Sequence, residues 1–151
     1  MIMHQTFMQH AFEQAQKAAE QNEVPVGAVL VMHDEIITKN YNQPITLNDP
    51  TAHAEILVLR EACQKIKNYR LIDAVLYVTL EPCAMCVGAM IHARIKQLIF
   101  GAYDPKSGAV SSGMNLIQSK HFNHRIAYQG GVMETECGQL LKDFFHKKRK
   151  R

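Results

Sequence analysis

Long hydrophobic runs are missing from this sequence of 151 residues, and its first residues do not show the pattern of a targeting leader. The longest uninterrupted apolar run, residues 24–32, has nine residues, whereas a membrane span needs roughly 18 or more. The first residues, Met1 to Gln5, lack the charged-then-apolar pattern of a signal peptide. We therefore expect no membrane association and a cytoplasmic location.

Cysteine is also scarce, with 4 residues in the chain. That number is too small for a disulfide scaffold, and in a reducing compartment a C-x-x-C spacing indicates metal binding or redox chemistry. The net charge of +3 is only mildly basic, and much of it comes from the tail 147–151. Because the chain contains no internal repeat, low-complexity segment or linker, we predict one domain over residues 1–151 that includes this basic tail.

Hydrophobic periodicity predicts helices that alternate with strands. The predicted helices are 6–21, a second from about 49–52 to 67, then 87–94, a short one at 115–118, and 136–146. The predicted strands are 27–32, 35–41, 74–78, 97–101 and 126–128. We expect a tight turn at His33-Asp34 between the first two strands, and either Asp49 or Thr51 as the cap of the second helix.

The order strand, helix, strand over residues 74–101 predicts a βαβ unit with parallel strands and a right-handed crossover. The whole pattern predicts an α/β fold with three layers, in which a mixed five-stranded sheet carries helices on both faces. Ligands of such sheets bind beyond the carboxyl ends of the parallel strands. Cys83 lies just past one predicted carboxyl end, so we expect a site there.

Cys83 and Cys86 are spaced to share one face in the first turn of a helix, where the positive end of the helix dipole favours thiolates. Pro82 suits that first turn, because the N–H that it lacks would have no partner there. His53 is the best upstream candidate for a third metal ligand. Three ligands of one nitrogen and two sulfurs are typical of a catalytic zinc site that keeps one position open for water.

Glu55 follows this histidine by two residues. From the middle of a helix, residues 53 and 55 could not point at one spot, but the geometry of a first turn is looser. We therefore interpret Glu55 as a proton shuttle beside the metal, where zinc lowers the pKa of bound water. The alternatives are a closed structural zinc site or inert core cysteines, and for Glu55 an ordinary first-turn acid that the helix dipole stabilises.

The pattern H-x-E…P-C-x-x-C at positions 53–55 and 82–86 is the signature of zinc-dependent nucleobase deaminases. The chain resembles one family of that superfamily, the bacterial tRNA-specific adenosine deaminases, over about residues 8–145. The cytidine and deoxycytidylate deaminase superfamily contains this family. The segments that carry the resemblance are 24–28, 49–55, 69–74, 79–86, 88–92 and 123–125.

The resemblance implies a cytidine-deaminase-like fold and hydrolysis of adenosine to inosine at the wobble position of a tRNA anticodon, chiefly in an arginine tRNA. It implies a homodimer that contacts the anticodon stem-loop with both subunits and binds one Zn²⁺ per subunit. Zinc-activated water would attack C6 of the base. The residues that it implicates are His53, Cys83 and Cys86 as zinc ligands, Glu55 as proton shuttle, and Asn42, Ala54, Asp104, Lys106 and Phe145 as substrate contacts, with the carbonyl region near Glu81 helping to read the base.

The residues alone leave alternatives open at several of these positions. Asn42 and Asp104 lie in segments rich in turn-forming residues, so a role in the turn competes with a role in binding. Phe145 is favoured as a core residue by the apolar pattern of the last helix. At the level of function, the rivals are a free guanine or cytosine deaminase of the same fold and a zinc-stabilised RNA-binding module without catalysis. Glu55 argues against the module, because a structural zinc site requires no proton shuttle.

Overall fold

The computed structural model describes residues 2–149, so Lys150 and Arg151 of the basic tail lie outside the described residues. The elements follow the order α1 Ile2–Glu20, β1 Gly27–Met32, β2 Glu35–Tyr41, α2 Ala54–Ile66, β3 Val75–Leu80, α3 Ala84–Ala93, β4 Gln97–Ala102, a 3₁₀ turn Leu116–Gln118, β5 Ala127–Gln129 and α4 Glu134–Arg149. Within this part of the chain, no helix has both the length and the hydrophobicity that crossing a membrane requires.

The five strands form one mixed sheet in the order β2-β1-β3-β4-β5. β1 pairs in antiparallel fashion with both β2 and β3, whereas β3 pairs with β4 and β4 with β5 in parallel. Leu76 of β3 lies opposite Leu98 of β4, which fixes the register of the predicted βαβ unit. The mixed sheet and its parallel half are therefore as predicted.

Alternate residues along the central strands face two separate hydrophobic clusters, because successive side chains of a strand point to opposite faces. Leu30, Leu76 and Leu98 pack with α2 and α3 on one face. Val29 and Ile99 pack beneath α1 on the other face, where α4 also contacts β3 and β4. Helices thus cover both faces, and the predicted three-layer αβα architecture is confirmed.

The β1–β2 hairpin closes through the predicted turn at His33-Asp34. Both residues have a positive φ, 51° and 64° respectively. Two consecutive residues with positive φ make the type of two-residue turn whose twist matches that of the flanking strands. The turn lies at the end of β1 opposite to Gly27, where this strand begins.

The start of α2 differs from the sequence prediction. The helix begins at Ala54, with His53 in the extended conformation at the N-cap position, so neither Asp49 nor Thr51 is its cap. Asp49 instead accepts hydrogen bonds from the backbone N–H of Thr51 at 2.9 Å and from its hydroxyl at 2.7 Å. A short acidic side chain that bonds the backbone two residues on closes its own turn, and this competes with capping a helix.

Two further boundaries also differ. Cys83 occupies the N-cap position of α3, so Pro82 precedes the helix and does not form its first turn. α4 extends to Arg149 rather than ending at residue 146. Lys148 lies over the ring of Phe144 at 5.4 Å, one turn earlier, and the basic residues of this last turn suit the negative end of the helix dipole.

Candidate active site

The N-termini of α2 and α3 meet beyond the carboxyl end of β3. His53 occupies the N-cap position of α2, and Cys83 occupies that of α3. Cys86 lies in the first turn of α3 and is fully buried. Both helices therefore direct the positive ends of their dipoles toward one place, which favours negatively charged groups there.

The three predicted ligands come together in a compact cluster. Nδ1 of His53 lies 3.6 Å from Sγ of Cys83 and 3.5 Å from Sγ of Cys86. Tetrahedral zinc with ordinary Zn–N and Zn–S bond lengths would separate a nitrogen ligand from a sulfur ligand by about 3.5 Å. The donor set and its spacing therefore fit a tetrahedral zinc ion, which these three residues would hold by one nitrogen and two sulfurs.

Electrostatics within the cluster also favour a cation. The hydrogen bond between the two sulfurs lowers the pKa of Cys83 to about 4 and raises the pKa of Cys86. The pKa of His53 is raised, chiefly by its hydrogen bond with Cys83. This is the pattern of one proton shared between two sulfurs. A divalent cation in place of that proton would hold both cysteines as thiolates.

Glu55 lies beside the cluster, as its interpretation as a proton shuttle requires. The side chain is 4% exposed, and burial raises the pKa of its carboxyl to about 7, although the charge of His53 opposes this shift. The carboxyl interacts with Cys86 by a hydrogen bond and with the charge of Cys83, so it lies next to the sulfur ligands. The extended backbone of His53 resolves the directional problem posed by the i, i+2 spacing, because only Glu55 follows the helical path.

Similarity to known proteins shows the family to which this chain belongs. A model of the MafB19-like deaminases matches residues 2–149. The chain belongs to this deaminase family. The tRNA-specific adenosine deaminase of Bacillus subtilis is 46% identical over 151 residues, which cover 100% of this chain and 94% of that protein.

A solved structure from studies of A-to-I editing by tRNA:A34 deaminases at the wobble position of transfer RNA has a TM-score of 0.88 to this deaminase. It is 46% identical, and the match covers 90% of this chain and 99% of that one. The guanine deaminase from Nitrosomonas europaea has a TM-score of 0.80 at 20% identity, covering 93% of this chain and 83% of that one, which is a likeness of fold alone. The predicted cytidine-deaminase-like fold is thereby confirmed.

Ala54 and Asn42, two of the predicted substrate residues, are connected to the cluster. Ala54 is next to it in sequence, and Asn42 is linked to it by a backbone hydrogen bond of its neighbour. Ala54 is the first residue of α2, directly after His53, and is fully buried. Asn42 follows β2, and its neighbour Gln43 donates a backbone hydrogen bond of 2.9 Å to the carbonyl of Ala52. Asn42 is 9% exposed, and within residues 2–149 its side-chain amide takes part in no hydrogen bond, so a donor and an acceptor are available.

Asp104 and Lys106 lie in a loop after β4, which we call the 104–112 loop. Oδ1 of Asp104 accepts hydrogen bonds from the backbone N–H groups of Lys106 at 3.2 Å and Ser107 at 3.1 Å. The turn-forming role considered for Asp104 is therefore present. That role occupies one of its two carboxylate oxygens, and the Lys106 side chain is exposed.

Phe145 is 43% exposed, so the prediction from the apolar pattern of α4 that it is a core residue is wrong. Its ring packs edge-on against Phe144, with centroids 5.3 Å apart. Adjacent positions of a helix point about 100° apart, and of the two aromatic side chains Phe144 is the less exposed. The ring is available for stacking on a partner.

Two buried carboxylates were not identified as site-forming residues from the sequence. Glu81 is 2% exposed, and Glu23 is 1% exposed. Glu23 accepts hydrogen bonds from the backbone N–H groups of Ile45 and Thr46, in the segment that follows Asn42. For Glu81 a usable sequence signal exists, because it directly follows a buried strand and a buried carboxylate requires partners.

Proposed function

We propose that this chain is a zinc-dependent hydrolase that converts adenosine to inosine at the wobble position of a tRNA anticodon. The observation that carries the proposal is the cluster of His53, Cys83 and Cys86 with Glu55 beside it, in a chain 46% identical over its length to a tRNA-specific adenosine deaminase. We further propose one Zn²⁺ per subunit, a homodimer, a cytoplasmic location and an arginine tRNA as the main substrate, which rest on the family resemblance.

Zinc held by these ligands would supply an activated water for attack on C6 of the adenine. Glu55 takes a proton from the attacking water and delivers it to N1 of the purine. It then takes the remaining proton from the oxygen that is now bonded to C6 and passes it to the amino group, so that the C6–N bond breaks, ammonia leaves and C6 keeps a carbonyl oxygen. A carboxyl with a pKa near 7 suits both directions of transfer at neutral pH, because neither its acid nor its base form is then rare.

The remaining residues of the proposed site orient the substrate. The free amide of Asn42 offers a donor and an acceptor to the edge of a purine. Ala54 offers a backbone N–H at the start of α2, and Asp104 and Lys106 contact nucleotides next to the target. Phe145 stacks on an unpaired base, a contact that exposed aromatic side chains commonly make with RNA loops.

The test measures ammonia release from three matched substrates: an RNA anticodon stem-loop with adenosine at the wobble position, free adenosine and free guanine. We expect the RNA loop to be deaminated far faster than either small molecule. A faster reaction with guanine would favour the free-nucleobase deaminase. Tight RNA binding without any ammonia release would favour the non-catalytic binding module.

A further inference from the structure

The carboxylate of Glu81 forms the centre of a hydrogen-bond cluster that spans the 104–112 loop. Its Oε2 accepts backbone hydrogen bonds from Val110 at 3.1 Å, Ser111 at 2.8 Å and Ser112 at 3.0 Å. Its Oε1 accepts the backbone N–H of Asp104 at 3.0 Å and the hydroxyl of Ser112. One carboxylate thus binds both ends of the loop.

The three successive N–H groups that converge on Oε2 make a backbone nest, a geometry that binds phosphate or other anions in many proteins. Here the anion is internal. Gly108 makes the close approach possible, because a Cβ at this position would collide with Cδ of Glu81. Since the nest is filled by the chain's own carboxylate, it is not available to an RNA phosphate.

Glu81 also connects the loop to the proposed catalytic centre. It is the second residue before Cys83, and the intervening Pro82 accepts a backbone hydrogen bond of 2.8 Å from Ala109. The backbone N–H of Glu81 donates to the carbonyl of Ala102 at 2.8 Å, at the end of β4. The loop is therefore fixed relative to the metal ligands through a single short segment.

We propose that Glu81 is a positioning residue that holds the 104–112 loop in the conformation that binds RNA. This inference rests on the proposed function, in which Asp104 and Lys106 of that loop contact the substrate. The Glu81 carboxylate is occupied by its hydrogen bonds with the loop, so in this proposal it acts through the loop and not by contact with the substrate. If it is lost, fewer molecules have the competent loop, so the apparent affinity for RNA falls in proportion while the chemical step is unchanged.

The substitution Glu81→Gln distinguishes the hydrogen bonds that Oε2 accepts from those that Oε1 accepts. The amide oxygen can replace Oε2 at the nest, and the amide nitrogen then replaces Oε1. That nitrogen is a donor, so it can serve the hydroxyl of Ser112 but not the N–H of Asp104. The variant should therefore release Asp104 selectively, whereas Ser112→Ala removes one hydrogen bond and should have a smaller effect.

The experiment measures amide hydrogen exchange and steady-state kinetics on zinc-loaded proteins. In Glu81→Gln we expect the Asp104 amide to exchange at least about tenfold faster, KM for the anticodon stem-loop to rise by about tenfold, and kcat to stay within about twofold. The control is Met8→Ala, which creates a cavity in the core on the opposite face of the sheet. It should lower global stability without changing KM.

Several results would overturn the proposal. These are loss of zinc in Glu81→Gln, a fall in kcat at unchanged KM, or faster exchange at Asp104 without any change in KM. If the unmodified protein deaminates no RNA loop at all, the proposed function fails, and the RNA-binding part of this proposal fails with it. The exchange rates then still decide whether Glu81 holds the loop.

Discussion

At the scale of single residues, the side chains of the site differ in how deeply they are buried and in how firmly they are held. His53, Cys83 and Cys86 are held by helix starts, and their donor atoms fit one ion without rearrangement. Glu55 is buried, whereas Asp104 is half-buried and already bonded within its own turn.

Replacing Glu55 by Gln should leave the protein folded and zinc-loaded but reduce kcat by about 10²–10⁴, the usual contribution of a general acid–base group. Glutamine keeps the size of the side chain but cannot carry the proton. Single-turnover rates together with zinc content check this expectation. A loss smaller than about tenfold would assign the proton transfer to another group.

Asp104→Asn should lower the ratio of two deamination rates, that of an RNA loop divided by that of the matched DNA loop. Asparagine can keep the turn, because its amide oxygen still accepts from Lys106 and Ser107, but it replaces the second oxygen with a donor. In the proposed site this second oxygen accepts a hydrogen bond from a ribose 2′-OH, which DNA lacks, so the substitution removes an interaction that only RNA makes. If the RNA-to-DNA ratio is the same as in the unmodified protein, Asp104 does not read the sugar.

At the scale of elements, α1 lies unusually close to β1. A Cβ at Gly27 would collide with the backbone of Ala11 and Ala15, and would lie 2.7 Å from Cβ of Gln14. The N–H of Gly27 also donates to the hydroxyl of Thr79 at 3.1 Å. The glycine is therefore required by the distance between helix and strand.

Gly27→Ala should lower the free energy of unfolding by at least about 3 kcal/mol, the upper part of the range for overpacking, because backbone atoms must move. Gly138→Ala in α4 is the matched control. Its new Cβ would meet only Cβ of Ala102, at 3.9 Å. We expect that variant to gain roughly 0.5–1 kcal/mol from better helix propensity. Denaturant unfolding of both variants measures the difference, and equal stabilities would contradict this account of the packing.

The last turn of α4 carries exposed positive charge at Lys147 and Arg149. Replacing both by alanine should weaken tRNA binding and leave kcat unchanged. The slope of log K against log salt should fall by roughly 0.7–0.9 for each phosphate that these two side chains neutralise. Lys39→Ala on the edge strand β2 is the control for removal of charge alone. An unchanged slope would mean that this turn binds no phosphate.

Structural features that depend on residues adjacent in the chain were predictable from the sequence, whereas hydrogen-bond partners far apart in the chain were not. The β1–β2 hairpin was predicted with its turn because alternation and turn residues are adjacent in the chain. The start of α2 was misplaced because Asp49 bonds its own turn, a choice that sequence pattern does not decide. The partners of Glu81 were missed because they lie 23 to 31 residues away and are backbone groups, which have no residue type to recognise.

At the scale of the whole molecule, the proposed metal site joins two helices that the sequence separates. α2 and α3 pack on the same face of the sheet, and the ligands lie where the N-termini of these helices meet. An ion that binds the folded chain alone stabilises it by mass action. Zinc should therefore support the fold as well as the reaction.

Chelation of zinc should lower the unfolding temperature, and free zinc at 1,000 times its dissociation constant should restore about 4 kcal/mol. Cys86→Ala should abolish the dependence on zinc. Cys63→Ala is the control, because Cys63 is another free cysteine that lies outside the cluster. Calorimetry and metal analysis measure both effects. A zinc-dependent unfolding temperature in Cys86→Ala would refute the ligand assignment.

The way in which Glu81 binds the 104–112 loop has a consequence for how this protein can change. All but one of its hydrogen bonds are accepted from the backbone of the loop, so they do not depend on which side chains the loop carries. The residues at 105–107 are exposed and take no part in them. Substitutions there can alter the choice of nucleic acid while the loop keeps its shape, which makes this segment a suitable target for directed evolution of new substrate preferences.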